Sequence, residues 1–288
     1  MKTTFLKVVL LICSFLSICC CYSQSEEPRV LLQVEGIDIA QIKRDLPFKS
    51  QGDSSLVMDI YYPESFDFNS SIPAVLIVFG YSQNAQKKLT GKYFMNWQWY
   101  TSWSRLFTTI NIAAIVYETT SPVEDLSSIQ QYLQSNAADL SIDADRIALF
   151  SVSGNSGVAM DALLKAENTQ QRCGVFLYPY ILTNESGYAE EANEIANQYG
   201  FSLPTLPENV TWSDSKSIFL VQAGNDQIKG IKETTGEFIA KAHSVNLPLT
   251  FINYQQGIHG FDVFQDTPET KEILEDILAF LSRNLKLN

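Results

Sequence analysis

The sequence predicts an α/β fold built on a mostly parallel, doubly wound sheet that opens with an antiparallel hairpin. Short, continuous apolar runs recur along the chain, at Ala74 to Phe79, Ile112 to Tyr117, Ile147 to Val152, Gly174 to Tyr178, Ile218 to Gln222 and Leu249 to Tyr254. Runs without polar alternation are the pattern of strands covered on both faces, as in a parallel sheet. Between them lie segments with helical spacing, at Val123 to Ala137, Ser156 to Lys165, Lys232 to Ser244 and Glu269 to Leu285. Strands that alternate with helices in this way wrap helices over both faces of one sheet. Ahead of the first run, Ile37 to Lys49 and Leu56 to Tyr62 flank the turn formers from Ser50 to Ser55, which predicts a hairpin.

Two segments break the alternation. Tyr93 to Trp103 holds three of the four tryptophans, more aromatic surface than a connection needs. Ile181 to Trp212 is a long mixed segment between two strands, long enough to form a cap or lid. Trp97, Trp99 and Trp103, with Glu118 at the end of a predicted strand, are therefore candidate pocket residues. Surface helices covering the sheet, and a solvated loop acid at Glu118, are the alternatives.

The first residues read as a secretory leader. Lys2 and Lys7 give a basic zone, Val8 to Cys21 an apolar zone, and Ser23 and Gln24 a small and polar end. The leader is assigned to residues 1–23 and a single catalytic domain to 24–288, with 181–212 as its cap insertion. An exported protein, periplasmic or extracellular, is expected. The apolar zone is about 14 residues long, short of the roughly 20 that span a bilayer, so no membrane span is expected. Four of five cysteines, Cys13, Cys19, Cys20 and Cys21, fall in the leader and leave Cys173 alone, which rules out an internal disulfide. Cysteines at the end of a leader also fit a lipid-anchored form, although Ile18 is bulky where lipoprotein signals place a small residue. Without Lys2 and Lys7 the chain keeps 18 basic against 32 acidic residues. That surface excludes nucleic acid, because phosphate binding needs clustered Lys and Arg.

The chemistry concentrates where a buried strand ends in a tight turn. Asp145 to Asn155 runs through an apolar strand into Ser151-Val-Ser153-Gly-Asn155, the setting in which a serine is held exposed at a sheet edge before a helix. Ser153 is the candidate nucleophile. The usual turn is Gly-x-Ser-x-Gly, and here Ser151 and Asn155 replace the outer glycines. The N–H of Gly154 is a candidate donor to an oxyanion, and the N–H of Tyr81, in the loop after Ala74 to Phe79, is a second. A serine hydroxyl needs a base within hydrogen-bond reach. Of the two histidines, His243 ends a predicted helix, whereas His259 sits between Gly257 and Gly260 in a loop after the last strand. His259 is the candidate base. Asp226, after the strand Ile218 to Gln222 and the turn Ala223-Gly-Asn225, is the candidate orienting acid, and the chain order Ser, Asp, His follows. Asp262 is the competing acid, with capping of the next segment as its structural role.

Taken together, Met58 to Pro63, Asp145 to Phe150, Ser153-Gly-Asn155, Ala223 to Asp226 and His259 to Asp262 resemble the dienelactone hydrolase-related α/β-hydrolases. The resemblance covers most of the chain after the leader. It implies the α/β-hydrolase fold with about eight strands, no cofactor, and a small-molecule ester substrate. Dienelactone hydrolases in the narrow sense use cysteine as nucleophile, and this sequence has Ser153.

Three readings follow: an ester hydrolase working through an acyl-enzyme, a peptidase of the same fold, and a non-catalytic binding protein on a degenerate hydrolase fold. The retained Ser153, Asp226 and His259 favour the first, while Ser151 and Asn155 motivate the third. No Cys and His spacing suits a metal, and no glycine-rich phosphate loop is present. Asn69, Asn184 and Asn209 begin Asn-x-Ser/Thr triplets, which matter only in a host that glycosylates them.

Overall fold

The computed structural model describes residues 27–165, 171–183, 187–198, 203, 205–206 and 216–285. The leader read at 1–23 lies outside them, as do Asn184 and Asn209. Among the described residues the strands are β1 Gln41–Gln51, β2 Ser54–Tyr62, β3 Ile72–Ile77, β4 Ala113–Tyr117, β5 Ile142–Val152, β6 Gln171–Leu177, β7 Leu182–Thr183, β8 Thr205–Leu206, β9 Ser217–Ala223 and β10 Leu249–Tyr254. The helices are α1 Gln83–Thr90, α2 Gln98–Thr108, α3 Pro122–Ser135, α4 Ala137–Leu140, α5 Ser156–Leu164, α6 Ala189–Asn197, α7 Ile231–Ser244, α8 Phe261–Phe264 and α9 Pro268–Asn284.

Eight strands form one sheet in the order β1-β2-β4-β3-β5-β6-β9-β10. The pairs β1/β2 and β2/β4 are antiparallel and every other pair is parallel. This is the expected fold class, entered through the expected hairpin. The cause is visible in burial: all residues of β3 and β4 are buried, and β6 exposes only Arg172. Such strands stabilise the fold only when helices cover both faces, since each fully buried large aliphatic or aromatic side chain contributes about 1.5–3 kcal/mol. At the sheet's edge, β10 keeps Tyr254 buried and leaves Thr250, Phe251 and Asn253 exposed.

Element boundaries depart from the apolar pattern for local reasons. Strand β1 begins at Gln41, because Gly36 at φ +85° and the Ile37 N–H bonded to Val34 O form a turn first. Strand β5 extends back to Ile142, which pairs with Ile72 of β3, through the polar Asp143 to Arg146. Helix α1 has little apolar periodicity and is set by its ends: Ser82 accepts the Ala85 N–H, and Gly91 closes it at φ +77°. The tryptophan-rich segment forms a short 3₁₀ turn, Phe94–Asn96, and then α2, whose inward face packs on β4. Within the predicted cap, β7 and β8 pair in parallel and α6 lies between them in sequence.

The hairpin is tied to the helical layer by one buried carboxylate. In the first turn of α3, Asp125 is fully buried; its Oδ2 accepts from Thr119 Oγ1 at 3.0 Å and from the N–H groups of Thr120 and Ser121 at 2.7 and 2.8 Å. Its Oδ1 takes the ammonium of Lys49 on β1. Burial alone would raise the Asp125 pKa, but Lys49 and these N–H donors outweigh it and hold the carboxyl below its ordinary value. Asp125→Ala strands Lys49 and three donors and should cost about 3 kcal/mol in urea unfolding at neutral pH. The contribution of Asp125 is complete above the unfolded pKa of about 3.9 and fades as pH falls through the lower folded value. The difference between wild type and variant should therefore shrink in acid.

Candidate active site

The loops that leave β3, β5, β6, β9 and β10 gather at the carboxyl ends of the parallel strands, the edge where open α/β sheets place their ligands. Strand β5 ends at Val152, and Ser153 follows with φ +54°. A side chain at left-handed φ is strained, and the strain is held by a 3₁₀ turn, Ser153–Asn155, running into α5. Ser153 and Gly154 stay partly exposed, whereas Ser151 and Asn155 are buried. Ser151 sits within β5 opposite Phe176 of β6. It replaces a glycine at a place where the backbone is ordinary strand.

Asn155 has a defined environment. Its Oδ1 accepts the Gly80 N–H at 2.8 Å and its Nδ2 donates to Tyr100 Oη at 3.0 Å. The two backbones touch there: a Cβ on Gly80 would stand 2.7 Å from both Asn155 Cα and Gly154 O. Only glycine fits at position 80. Tyr81, next in the chain, packs its ring on Phe94 with centroids 5.3 Å apart.

The acid and histidine loops are laced together in the same manner. Gly224 N–H bonds Tyr254 O and Asn225 N–H bonds Gly257 O, each at 2.8 Å. A Cβ on Gly224 would stand 2.4 Å from Gln255 O. From this frame Asp226 and His259, both buried, meet with Asp226 Oδ2 2.6 Å from His259 Nδ1. Asp226 Oδ1 also accepts the Ile228 N–H at 2.9 Å, which fixes the carboxylate's orientation. A carboxylate only accepts, so Nδ1 carries the imidazole proton and Nε2 has the lone pair. His243 lies exposed in the last turn of α7.

Tyr178 and Tyr180, which sequence patterning does not single out, link the serine turn to the histidine. Tyr180 donates its N–H to Ser153 O at 3.0 Å. The Tyr178 ring lies 4.6 Å from the His259 ring, and its backbone has φ +36°. The signal available was an aromatic pair, Tyr178-Pro-Tyr180, directly after a buried strand. From the cap segment, Leu203 comes within 3.2 Å of where a Gly154 Cβ would lie, and Asn193 holds Leu203 through both backbone atoms, N–H to Oδ1 at 2.6 Å and O to Nδ2 at 3.3 Å.

Of the four candidate pocket residues, the three tryptophans are buried. Trp103 is fully buried, its ring against Phe107 and Phe150, so it is a core side chain and no open wall. Trp97 and Trp99 are buried as well, their rings 5.0 Å apart. Glu118 accepts the Val57 N–H of β2 at 3.3 Å. Asp262 is no cap of its segment. Its Oδ2 accepts the indole N–H groups of Trp103 at 2.8 Å and Trp99 at 2.9 Å, and its Oδ1 accepts the Tyr178 hydroxyl at 2.6 Å. Burial pushes the Asp262 pKa up while these three donors pull against it. The same residue that might have competed with Asp226 is thus occupied elsewhere. Among the described residues no group of three or more His, Cys, Asp or Glu side chains is placed to hold a metal, and no helix is long and apolar enough to cross a membrane.

No family model and no curated protein sequence matches the chain. Solved structures match its fold. Esterase 2 of the planctomycete Thermogutta terrifontis aligns over 86% of this chain and 93% of its own, with a TM-score of 0.63 at 15% identity. An α/β-hydrolase from a Medee basin deep-sea metagenome aligns over 86% and 99%, at 0.62 and 15%. Esterase B of Lactobacillus rhamnosis HN001 aligns over 99% and 96%, at 0.67 and 13%. Likeness at these identities is likeness of fold, and the fold is that of the α/β-hydrolases.

Proposed function

We propose that this chain is a serine esterase of the dienelactone hydrolase-related type, acting on small carboxylic esters. The observation that carries the reading is the buried Asp226–His259 pair, at 2.6 Å, at the same sheet edge as a serine held at φ +54°. Ser153 Oγ attacks the ester carbonyl carbon as His259 Nε2 takes its proton. The carbonyl π electrons move onto oxygen, and the N–H groups of Gly154 and Tyr81 are the donors assigned to that oxyanion. Collapse breaks the bond to the alcohol oxygen, which leaves with the proton from the imidazolium. Water then attacks the acyl-serine, gives a proton to His259, and releases the acid as Ser153 recovers its own. Asp226 keeps Nδ1 protonated and stabilises the imidazolium.

Several features support this over a non-catalytic binder. The serine turn keeps its strained geometry despite Ser151 and Asn155, and Leu203 stands as an apolar neighbour of Gly154. The solved fold neighbours include esterases, and Thermogutta terrifontis esterase 2 has been trapped as adducts with tabun and sarin, reagents that capture an activated nucleophile. The zoned residues 1–23 support export, with a mature chain beginning at Gln24; mass spectrometry of protein from the culture medium or periplasm checks that start.

A fluorophosphonate probe should label the wild-type protein and fail to label Ser153→Ala, read by intact mass; labelling that survives the substitution removes Ser153 from its role. With p-nitrophenyl acetate, His259→Ala should lower kcat by a factor of about 10² to 10⁴. Asp226→Asn should cause a loss of similar size, because an amide no longer dictates which imidazole nitrogen carries the proton. Wild-type rates in either variant defeat the assignment.

A further inference from the structure

The residue that replaces the last glycine of the serine turn has a place in the reaction. Resting on the esterase reading, we infer that Asn155 is a positioning residue for the oxyanion donors, locking the loop after β3 to the nucleophile turn. The two candidate donors belong to different loops: Gly154 N–H to the turn after β5, and Tyr81 N–H to the loop after β3. For both to serve one oxygen they must lie about 2.7–3.1 Å from its position. Asn155 is the side chain that joins the loops, because it directly follows Gly154 and bonds the N–H of Gly80, which directly precedes Tyr81.

The assignment of its amide is chemically forced. Gly80 N–H can only donate, so the atom facing it is Oδ1, and Nδ2 then donates to Tyr100 Oη. Burial pushes the Tyr100 pKa well above that of free tyrosine, so its hydroxyl is neutral and able to accept. Asn155 is itself 2% exposed, and both its amide atoms are satisfied within the core. The contact is also an exclusion. With its N–H given to Oδ1, Gly80 is withdrawn from oxyanion binding, and Tyr81 is the donor assigned to that loop. A glycine at position 155 would restore the last glycine of the motif and lose the tie. The loop would then keep its packing, such as the Tyr81–Phe94 ring contact, and the backbone bonds at its two ends, Val78 N–H to Phe150 O and Gln83 N–H to Thr119 O. Because a shift of about 1 Å in a catalytic group can cost about 10²-fold in rate, loss of the tie should appear in the chemical step.

The test compares wild type, Asn155→Gly and Asn155→Ala with p-nitrophenyl acetate, with an aryl trifluoromethyl ketone as mimic of the oxyanion, and with thermal melting to confirm folding. The expected result is kcat lower by about 10- to 100-fold with KM within about threefold. Affinity for the ketone should fall by the same factor as kcat/KM, a correlation that a purely structural role would not produce. Should neither variant fold, Tyr100→Phe removes only the hydroxyl that anchors Nδ2 and should lower kcat several-fold at unchanged KM. Folded Asn155 variants with wild-type kcat and ketone affinity overturn the inference, as does wild-type kcat in Tyr100→Phe if that variant alone is available. A wild-type protein that neither turns over the ester nor reacts with fluorophosphonate overturns the esterase reading and this inference with it.

Discussion

A buried carboxyl group, that of Asp262, lies under the histidine loop, and much of the site is arranged to satisfy it. Taking a carboxylate out of water costs several kcal/mol unless hydrogen bonds replace the lost hydration. Asp262, fully buried, receives three such bonds from two indoles and a phenol. Both indole nitrogens are donors only and both face Oδ2, so that oxygen acts as an acceptor. Losing any one donor leaves part of a buried carboxyl group unsatisfied, which costs about 1–3 kcal/mol. The three donors come from α2 and from the end of β6, while Asp262 lies three residues after His259. The arrangement therefore fastens the histidine loop to the tryptophan helix. It also holds the Tyr178 ring against the imidazole, since the hydroxyl of that ring is one of the three donors.

Backbone contact does the remaining alignment. Two pairs of loops meet so closely that a single Cβ cannot enter: Gly80 against the Gly154–Asn155 turn, and Gly224 against Gln255. Close approach turns loop placement from a matter of side-chain packing into one of steric exclusion, which tolerates far smaller displacements. This is the property a reaction needs when its groups reside on four separate loops, because correct placement of each must be established before substrate arrives. Strain at Ser153 and at Tyr178, both at positive φ without being glycine, is held in place by the same lacing. The Tyr180 N–H bond to Ser153 O and the Tyr178 N–H bond to Val221 O, 2.7 Å, fasten the two strained residues.

How much of this could be read beforehand depended on whether the signal was local. The parallel strands were legible because burial on both faces writes an unbroken apolar run, and the pairing of Asp226 with His259 was legible because strand ends and glycines flank both. Helix α1 was not, since its caps rather than its periodicity define it. The tryptophans show the limit most clearly. Three indoles in one short segment signal unusual chemistry, yet the sequence does not say whether they face a ligand or a buried charge. The partner that decides it for Trp99 and Trp103, Asp262, is 159 residues away from Trp103. Glu118 illustrates the same point, as a strand-end acid whose fate depends on the neighbouring strand.

The departures from the glycine pattern at Ser151 and Asn155 are of two kinds. A motif glycine is required where φ is positive or where another backbone comes too near. Position 151 is ordinary strand, so a small residue is enough. At position 155 the close approach is real, but the glycine that it demands is supplied by Gly80 on the opposite loop, whose missing Cβ makes the room. Steric room is thus a property of the pair of loops and not of one residue. Once Gly80 provides it, position 155 is open to a side chain, and an asparagine there adds a hydrogen bond that glycine could never make. A strict motif search rejects this turn because it counts glycines on one strand of a contact that has two sides.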